Sequence, residues 1–136
     1  MLFSKIIHAE KIWILIFFII ALIIFIQSNF PSVVTNENFY SLQFDKITHI
    51  SAWVCLSFSL RLGTNSKVMS YDNLKRTIIL ILLIAIGTLY GISDEIHQYF
   101  IPSRSADILD VLADCIGSTM GVLVAHKLII VTENKI

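Results

Sequence analysis

The chain has 136 residues, of which 56% are hydrophobic and 15% are charged, and its formal net charge is zero. Soluble domains are typically ~45–50% apolar and ~25% charged, so this composition excludes an ordinary soluble domain. The apolar residues form blocks and there is no basic excess, which excludes a disordered chain, a nucleic-acid binder and a secreted disulfide scaffold. A small protein embedded in a lipid bilayer remains.

The first predicted element is a membrane span over residues 8–28. Its centre, from Ile12 to Ile26, is an unbroken run of 15 apolar residues, and with its flanks the segment reaches the ~20 residues needed to cross the hydrocarbon core. Gln27 and Ser28 do not form the small-residue cleavage site of a signal peptide. We therefore expect an uncleaved membrane anchor.

Three further apolar segments follow, at residues 46–63, 77–95 and 107–130. The last is interrupted by Asp110 and Asp114, but a helix can bury two acids against its neighbours, whereas a loop at that depth would leave its backbone unsatisfied. The sequence therefore predicts an all-α fold, with the whole chain forming one integral membrane bundle of four transmembrane helices.

The cations are divided unevenly between the two sides of this bundle. Short cytoplasmic loops carry an excess of Lys and Arg, so the side with more cations is predicted to be cytoplasmic. That side holds Lys5, Lys11, Arg61, Lys67, Lys75, Arg76, Lys127 and Lys135. The outer side holds Lys46 and Arg104, together with most of the acids. The pattern predicts a protein of the cell membrane with both termini in the cytoplasm.

Two of the predicted spans carry a face of acids and small residues. On the fourth span, residues recur at spacings of three and four, which places them on one helix face: Asp107, Asp110, Asp114, Gly117 and Gly121. If its helix continues past the membrane surface, the third span has a similar face, formed by Gly87, Gly91, Asp94 or Glu95, and Gln98. Because small residues let helices approach closely, these two glycine-bearing faces are predicted to pack on each other as an antiparallel hairpin.

The second span adds Asp45 and His49, which are one turn apart on the same face, with Trp53 a turn deeper. We expect the faces of the second, third and fourth spans to converge on one pocket at the outer side. The candidate binding residues are Asp45, Lys46, His49, Asp94, Glu95, Gln98, Arg104, Asp107, Asp110 and Asp114.

Several of these residues also have structural explanations. Asp45 and Asp107 begin predicted helices, so either can cap an N-terminus. Glu95 lies near the C-terminal end of its helix, where the dipole disfavours an anion, so it needs a cation. Arg104 is the arginine on that side, and a network of Arg104 with Glu95 or Asp110 is the expected structural solution.

The acids of the outer side outnumber its cations. Asp45, Asp94, Glu95, Asp107, Asp110 and Asp114 stand against Lys46 and Arg104. The excess requires a charged His49 or His97, protonated carboxyls, or a bound cation. No segment has a strict metal-ligand motif such as HExxH, so the sequence predicts no metal and no cofactor.

Two stretches of the outer side resemble the VanZ-like family of small bacterial membrane proteins. One is Asp45-Lys46-Ile-Thr-His49, and the other runs from Gly91 to Gly121 and includes Ser-Asp-Glu-Ile-His-Gln-Tyr-Phe-Ile-Pro-Ser-Arg. The resemblance covers roughly residues 40 to 126. It places the polar motif of the family on Asp45, Lys46, His49, Glu95, Gln98, Arg104, Asp110, Asp114, Gly117 and Gly121. Many members have Asn where this chain has Asp114.

The resemblance implies a multi-pass envelope protein, in a family named for a protein that raises resistance to the glycopeptide teicoplanin. One hypothesis is a site that binds a cell-wall precursor, a lipid or a glycopeptide. The alternative is a membrane-embedded hydrolase or transferase of a lipid-linked substrate, with Glu95 or Asp110 as base, His49 as proton shuttle and Arg104 holding phosphate or carboxylate. A third interpretation is a polar network that only holds the helices together. The expected partners are the lipid bilayer and one of these envelope ligands, with no nucleic acid.

Overall fold

The structure, a computed structural model, describes residue 7 and residues 9–30, 39–64, 66–102 and 104–134. These residues form α1 (Glu10–Ser28), α2 (Phe39–Gly63), a 3₁₀-helix (Ser66–Ser70), α3 (Asn73–Tyr99) and α4 (Ile108–Glu133). No strand occurs within these ranges, so the predicted all-α fold is confirmed. Residue 8, the predicted start of the first span, lies outside the described residues, as do Lys5 and Lys135.

Asp107 caps the start of α4, because its carboxylate accepts the backbone N–H of Leu109 at 2.8 Å and so satisfies one of the free donors of the first turn. The capping interpretation of Asp107 is therefore confirmed. The same interpretation of Asp45 is wrong, because α2 already begins at Phe39 and Asp45 lies within its second turn. The six residues that precede Asp45 contain no glycine or proline that would stop a helix.

Three of the helices, α1, α3 and α4, are long and apolar enough to cross a membrane. The helix α2 has 25 residues but is less apolar, and it packs against each of the other three helices. Its polar residues Ser57, Ser59 and Arg61 are buried. The polarity of α2 is therefore directed into the bundle, whereas α1 presents a broad apolar surface outward, with Leu15 and Phe18 among its exposed residues.

Successive helices run in opposite directions, so the bundle has two distinct ends. At one end, the hydroxyl of Ser28 on α1 is hydrogen-bonded to Asp94 on α3. At the other end, Arg61 Nη2 on α2 lies 3.1 Å from His126 Nδ1 on α4. We call the first the acidic end and the second, which also holds Arg76, the arginine end.

The glycines of α4 allow the close approach of α2 rather than of α3. A Cβ on Gly117 would lie 2.6 Å from the carbonyl oxygen of Ile50 and 2.8 Å from Trp53 Cβ, and a Cβ on Gly121 would meet the carbonyl oxygen of Val54. These two positions therefore allow the backbones of α2 and α4 to lie in direct contact.

The glycines of α3 face side chains of α4 instead. A Cβ on Gly91 would meet the carboxylate of Asp114, and one on Gly87 would meet the hydroxyl of Ser118. The helices α3 and α4 pack together, and the predicted faces meet where Gly91 lies against Asp114, but the glycines of one face do not lie against the glycines of the other. Gly117 and Gly121 of α4 instead contact the backbone of α2, which lies close to α4 along the same face.

Candidate functional site

A cavity of about 390 Å³ opens at the acidic end between α1, α2 and α3. Its apolar wall includes Ile24, Ala52 and Trp53. The polar side chains that line it are Gln27, Ser28, Asp45, Thr48, His49, Asp94, Gln98 and Arg104. A pocket with one apolar wall and several converging polar groups is the usual form of a small-ligand site.

Lys46 links α2 to the start of α4 beside this cavity. Its ammonium nitrogen lies 2.5 Å from Asp107 Oδ2 and 2.6 Å from Asp110 Oδ1, and 3.6 Å from Asp45 Oδ2. The Lys46 ammonium, with the N–H of Leu109, holds the pKa of Asp107 below its usual range. One lysine thus bridges three neighbouring carboxylates but offsets only one of their negative charges.

His49 is held between an acid and an aromatic ring. Its Nδ1 lies 3.0 Å from Asp114 Oδ1, its Nε2 lies 3.8 Å from Asp110 Oδ1, and its ring stacks on Trp53 with centroids 5.6 Å apart. Asp114 is 0% exposed, and its Oδ2 has no hydrogen-bond partner among the described residues. The buried carboxylate therefore fixes the orientation of an imidazole that borders the cavity.

Asp94 is stabilised by neutral donors rather than by a cation. The hydroxyl of Ser28 is hydrogen-bonded to one of its oxygens, and Gln98 Nε2 donates to the other at 2.7 Å. Hydrogen bonds of this kind offset part of the cost of burying a carboxylate. They also tie the end of α1 to the end of α3.

Arg104 does not contact Glu95 or Asp110, so the expected ion-pair network is wrong. Its Nη1 donates to Gln98 Oε1 at 3.0 Å, and its Nε donates to the carbonyl oxygen of Phe30 at 3.0 Å. The guanidinium therefore closes the mouth of the cavity between the ends of α1 and α3. Neutral acceptors hold it there, so its positive charge remains uncompensated by direct ion pairing.

Glu95 lies behind the cavity rather than in its wall. It is 3% exposed, and its Oε2 accepts the backbone N–H of Asp107 at 2.8 Å. Its Oε1 has no hydrogen-bond partner among the described residues. Glu95 thus anchors the chain where α4 begins, and of the three sequence candidates for acid–base chemistry only His49 lines the cavity.

Asp45, His49 and Asp110 offer ligand atoms that all lie within 4.8 Å of one another, a spacing that suits a metal ion. Carboxylate oxygen and imidazole nitrogen are both common ligands of divalent metals. The ammonium of Lys46 lies among the same carboxylates. In the conformation described, Lys46 supplies the positive charge that a metal would otherwise bring.

A family model described as VanZ/LLP1 matches residues 2–131 of the chain. The chain belongs to the VanZ family. The resemblance noted in the sequence is therefore confirmed. No curated protein and no solved structure matches the chain.

The residues of the VanZ-like motif lie in two places in this member of the VanZ family. Gly117 and Gly121 lie at the contact of α4 with α2. The polar residues gather at the acidic end, where Asp45, His49, Gln98 and Arg104 line the cavity, while Lys46, Glu95, Asp110 and Asp114 form the layer beside it.

Sequence reasoning missed the contribution of α1 to this site. Ile24, Gln27 and Ser28 line the cavity, and Ser28 is 66 residues away in sequence from the aspartate that it contacts. The available signal was the polar Gln27-Ser28-Asn29 at the end of a purely apolar run. A polar residue at the rim of a span commonly reaches a buried polar partner on another helix.

Proposed function

We propose that the protein crosses the cell membrane four times, as one domain, with both termini cytoplasmic and the acidic end outside. At ~1.5 Å per residue, the 25 residues of α2 extend about 37 Å, which exceeds the ~30 Å of hydrocarbon. Polar groups on α2 are tolerated because neighbouring helices cover them. The arrangement of cations supports the orientation, since Lys75, Arg76 and Lys127 lie away from the acidic end.

We propose that the cavity binds the polar headgroup of a lipid-linked cell-wall precursor. The observation that carries this proposal is a cavity lined by an apolar wall that includes Trp53 and by both an arginine and carboxylates. Arg104 is suited to a phosphate or carboxylate, and Asp45 and Asp94 are suited to the hydroxyl or amine donors of a sugar or peptide. A cell-wall precursor carries both kinds of group on one lipid.

The volume of the cavity favours a headgroup over a whole glycopeptide antibiotic. Pockets for small ligands span ~300–1,000 Å³, and this one has about 390 Å³. A glycopeptide is too large to enter and would contact the rim alone. The phosphate and the adjoining sugar of a precursor headgroup fit this volume, with the rest of the headgroup outside the cavity and the tail in the bilayer against the exposed apolar surface of α1.

The fluorescence of Trp53 tests this proposal. The chain has two tryptophans, so Trp13→Phe leaves Trp53 as the single reporter in the cavity wall. We expect a lipid-linked precursor to change its emission in a saturable way, whereas the polyprenol without its headgroup, or teicoplanin, does not.

Variants of the cavity supply the controls. Arg104→Lys and Asp45→Asn are expected to weaken binding of the precursor by about tenfold, the effect of one charge-assisted hydrogen bond. Asp72→Asn, at the exposed start of α3, is the matched control and should leave binding unchanged. Saturable binding of the headgroup-free polyprenol, or undiminished binding by both cavity variants, would contradict the proposal.

A second candidate function is hydrolysis or group transfer on the same lipid-linked substrate. It is favoured by the contact of His49 Nδ1 with the buried Asp114 at 3.0 Å, because a carboxylate that orients an imidazole prepares it for general acid–base catalysis. Purified protein incubated with the precursor would then change the mass of the precursor, and His49→Gln would abolish the change. No mass change in the presence of divalent metals would exclude this candidate.

A further inference from the structure

Arg61 is buried at the arginine end and has no carboxylate partner among the described residues. Its side chain is 0% exposed, and its Nε and Nη1 have no hydrogen-bond partner among the described residues. Its Nη2 lies 3.1 Å from His126 Nδ1 and 3.7 Å from Met69 Sδ. Glu133 acts on it electrostatically but from beyond ion-pair distance. An unpaired guanidinium in such a position is costly unless something else neutralises it.

A second guanidinium lies beside the first. Arg76 Nη2 donates to the carbonyl oxygens of Met69 at 3.1 Å and Tyr71 at 3.0 Å, and its buried Nε has no partner among the described residues. Both guanidinium groups lie close enough to His126 to act on it electrostatically. Two arginines thus meet around Met69 with more N–H donors than the surrounding acceptors can satisfy.

The weakest of these contacts is the one between Arg61 and the thioether of Met69. A thioether sulfur is a poor acceptor, and the methionine side chain is long and unbranched, so it can move aside easily. A phosphate oxygen is a strong acceptor, and guanidinium groups bind phosphate in a bidentate manner. An anion that replaced Met69 at Arg61 would satisfy the unpaired donors and neutralise the buried charge at once.

We propose that the arginine end binds a phosphate group between Arg61 and Arg76, displacing the side chain of Met69. The site lies at the opposite end of the bundle from the cavity and does not depend on the function proposed for the cavity. The phosphate can come from the headgroup of an anionic lipid at that membrane surface or from free phosphate in solution. Both sources share the chemistry that the two arginines recognise.

Native mass spectrometry of the full chain in an uncharged detergent tests the proposal. The probes are dioctanoyl phosphatidic acid and dioctanoylglycerol, which differ by the phosphate alone. We expect the wild type to retain one phosphatidic acid and no dioctanoylglycerol. A second arm compares the unfolding temperature in sodium phosphate with that in sodium chloride of equal ionic strength. Stabilisation by phosphate identifies the free anion as a ligand, and stabilisation by phosphatidic acid alone identifies the lipid.

Arg76→Gln is expected to weaken binding by about tenfold or more, since it removes a charge-assisted contact, and Arg61→Gln is expected to do the same. Lys127→Gln is the matched control, because Lys127 is exposed at the same end and its loss changes the net charge equally. If Arg61→Gln does not fold, binding measured with Arg76→Gln still tests the proposal, because Arg76 is partly exposed. Failure of the wild type to bind either probe overturns the proposal, as does equal weakening by Lys127→Gln or wild-type affinity in Arg76→Gln.

Discussion

The acidic end buries four carboxylates, and each accepts at least one hydrogen bond, whereas the arginine end buries a guanidinium that reaches no carboxylate in the part of the chain that the structure describes. Both arrangements place charge in a bundle that faces lipid, where an unsatisfied charge is costly. At the acidic end, cations and neutral donors give each of these carboxylates at least one partner, although one oxygen of Glu95 and one of Asp114 have none among the described residues. At the arginine end, two buried guanidinium nitrogens of Arg61 have no hydrogen-bond partner among the described residues. A bound anion would accept hydrogen bonds from them.

The largest expected effect follows from removing the cation of the acidic end. Lys46→Met should destabilise the protein by about 3 kcal/mol, because it leaves Asp110 buried without its partner. The matched control is Lys75→Met, which breaks an ion pair of 3.4 Å to Asp72 on the surface and should change stability little, because exposed ion pairs are screened by solvent. Unfolding in mixed micelles measures the stability of both variants. Equal losses of stability would show that the ion pairs of Lys46 stabilise the protein no more than a surface ion pair does.

The middle of the bundle, which joins the two ends, depends on the contact between α2 and α4. Gly121→Ala would place a Cβ against the carbonyl oxygen of Val54 and 2.9 Å from the backbone nitrogen of Phe58. Backbone atoms cannot rotate away, so we expect a loss of about 2 kcal/mol from overpacking. Leu123→Ala, at an exposed position of α4, serves as control and should change stability little in detergent. A Gly121→Ala protein as stable as the wild type would refute the close helix contact.

At the arginine end the expected effect has the opposite sign. Arg61→Met replaces a charge that is paired with none of the described carboxylates by an apolar side chain of similar length. In uncharged detergent without phosphate, we expect the variant to gain about 1 kcal/mol. A loss of several kcal/mol, measured in the same way as for Lys46→Met, would mean that Arg61 is paired as firmly as the charges of the acidic end.

The smallest effect concerns the pH dependence of the acidic end. Folding lowers the pKa of Asp107, so its stabilising contribution is complete above the ordinary aspartate pKa of ~3.9 and is lost as the pH falls through the lower folded value. Because Asp107 is partly exposed, the contribution is expected to be below about 1 kcal/mol. Asp107→Asn should therefore lose less stability than the wild type between pH 5 and pH 2, and identical losses would contradict this assignment.

Local sequence patterns predicted the features that depend on residues close together in the sequence, such as helix faces and helix caps. The spacing of Asp107, Asp110 and Asp114 placed the three acids on one helix face, and the structure has them along α4 with Asp107 as its cap. The all-α fold followed from the length and composition of the apolar runs. The helix α2 begins at Phe39, before the predicted span at 46–63, since the six residues that precede Asp45 contain no glycine or proline that would stop a helix.

The contacts between helices could not be predicted in the same way. Arg104 was assigned to the acids because opposite charges attract, yet it donates to Gln98 and to a carbonyl oxygen of the α1 end. The partner of Gly121 on α2 likewise depends on which helices are neighbours. Such choices are made by packing between segments far apart in sequence, and helix periodicity carries no information about them.

The susceptibility of a bacterial host to teicoplanin and other cell-wall antibiotics tests the central claim, that the cavity at the acidic end is a working site. The host expresses the wild type, Asp45→Asn, Arg104→Lys or the control Lys75→Gln, and the amount of folded protein in the membrane is measured for each. The account predicts that expression of the wild type changes the susceptibility of the host, that the two cavity variants accumulate to the wild-type level without producing this change, and that Lys75→Gln produces it. Cavity variants that accumulate normally and keep the full change, or that lose it only because they fail to fold, would contradict the claim.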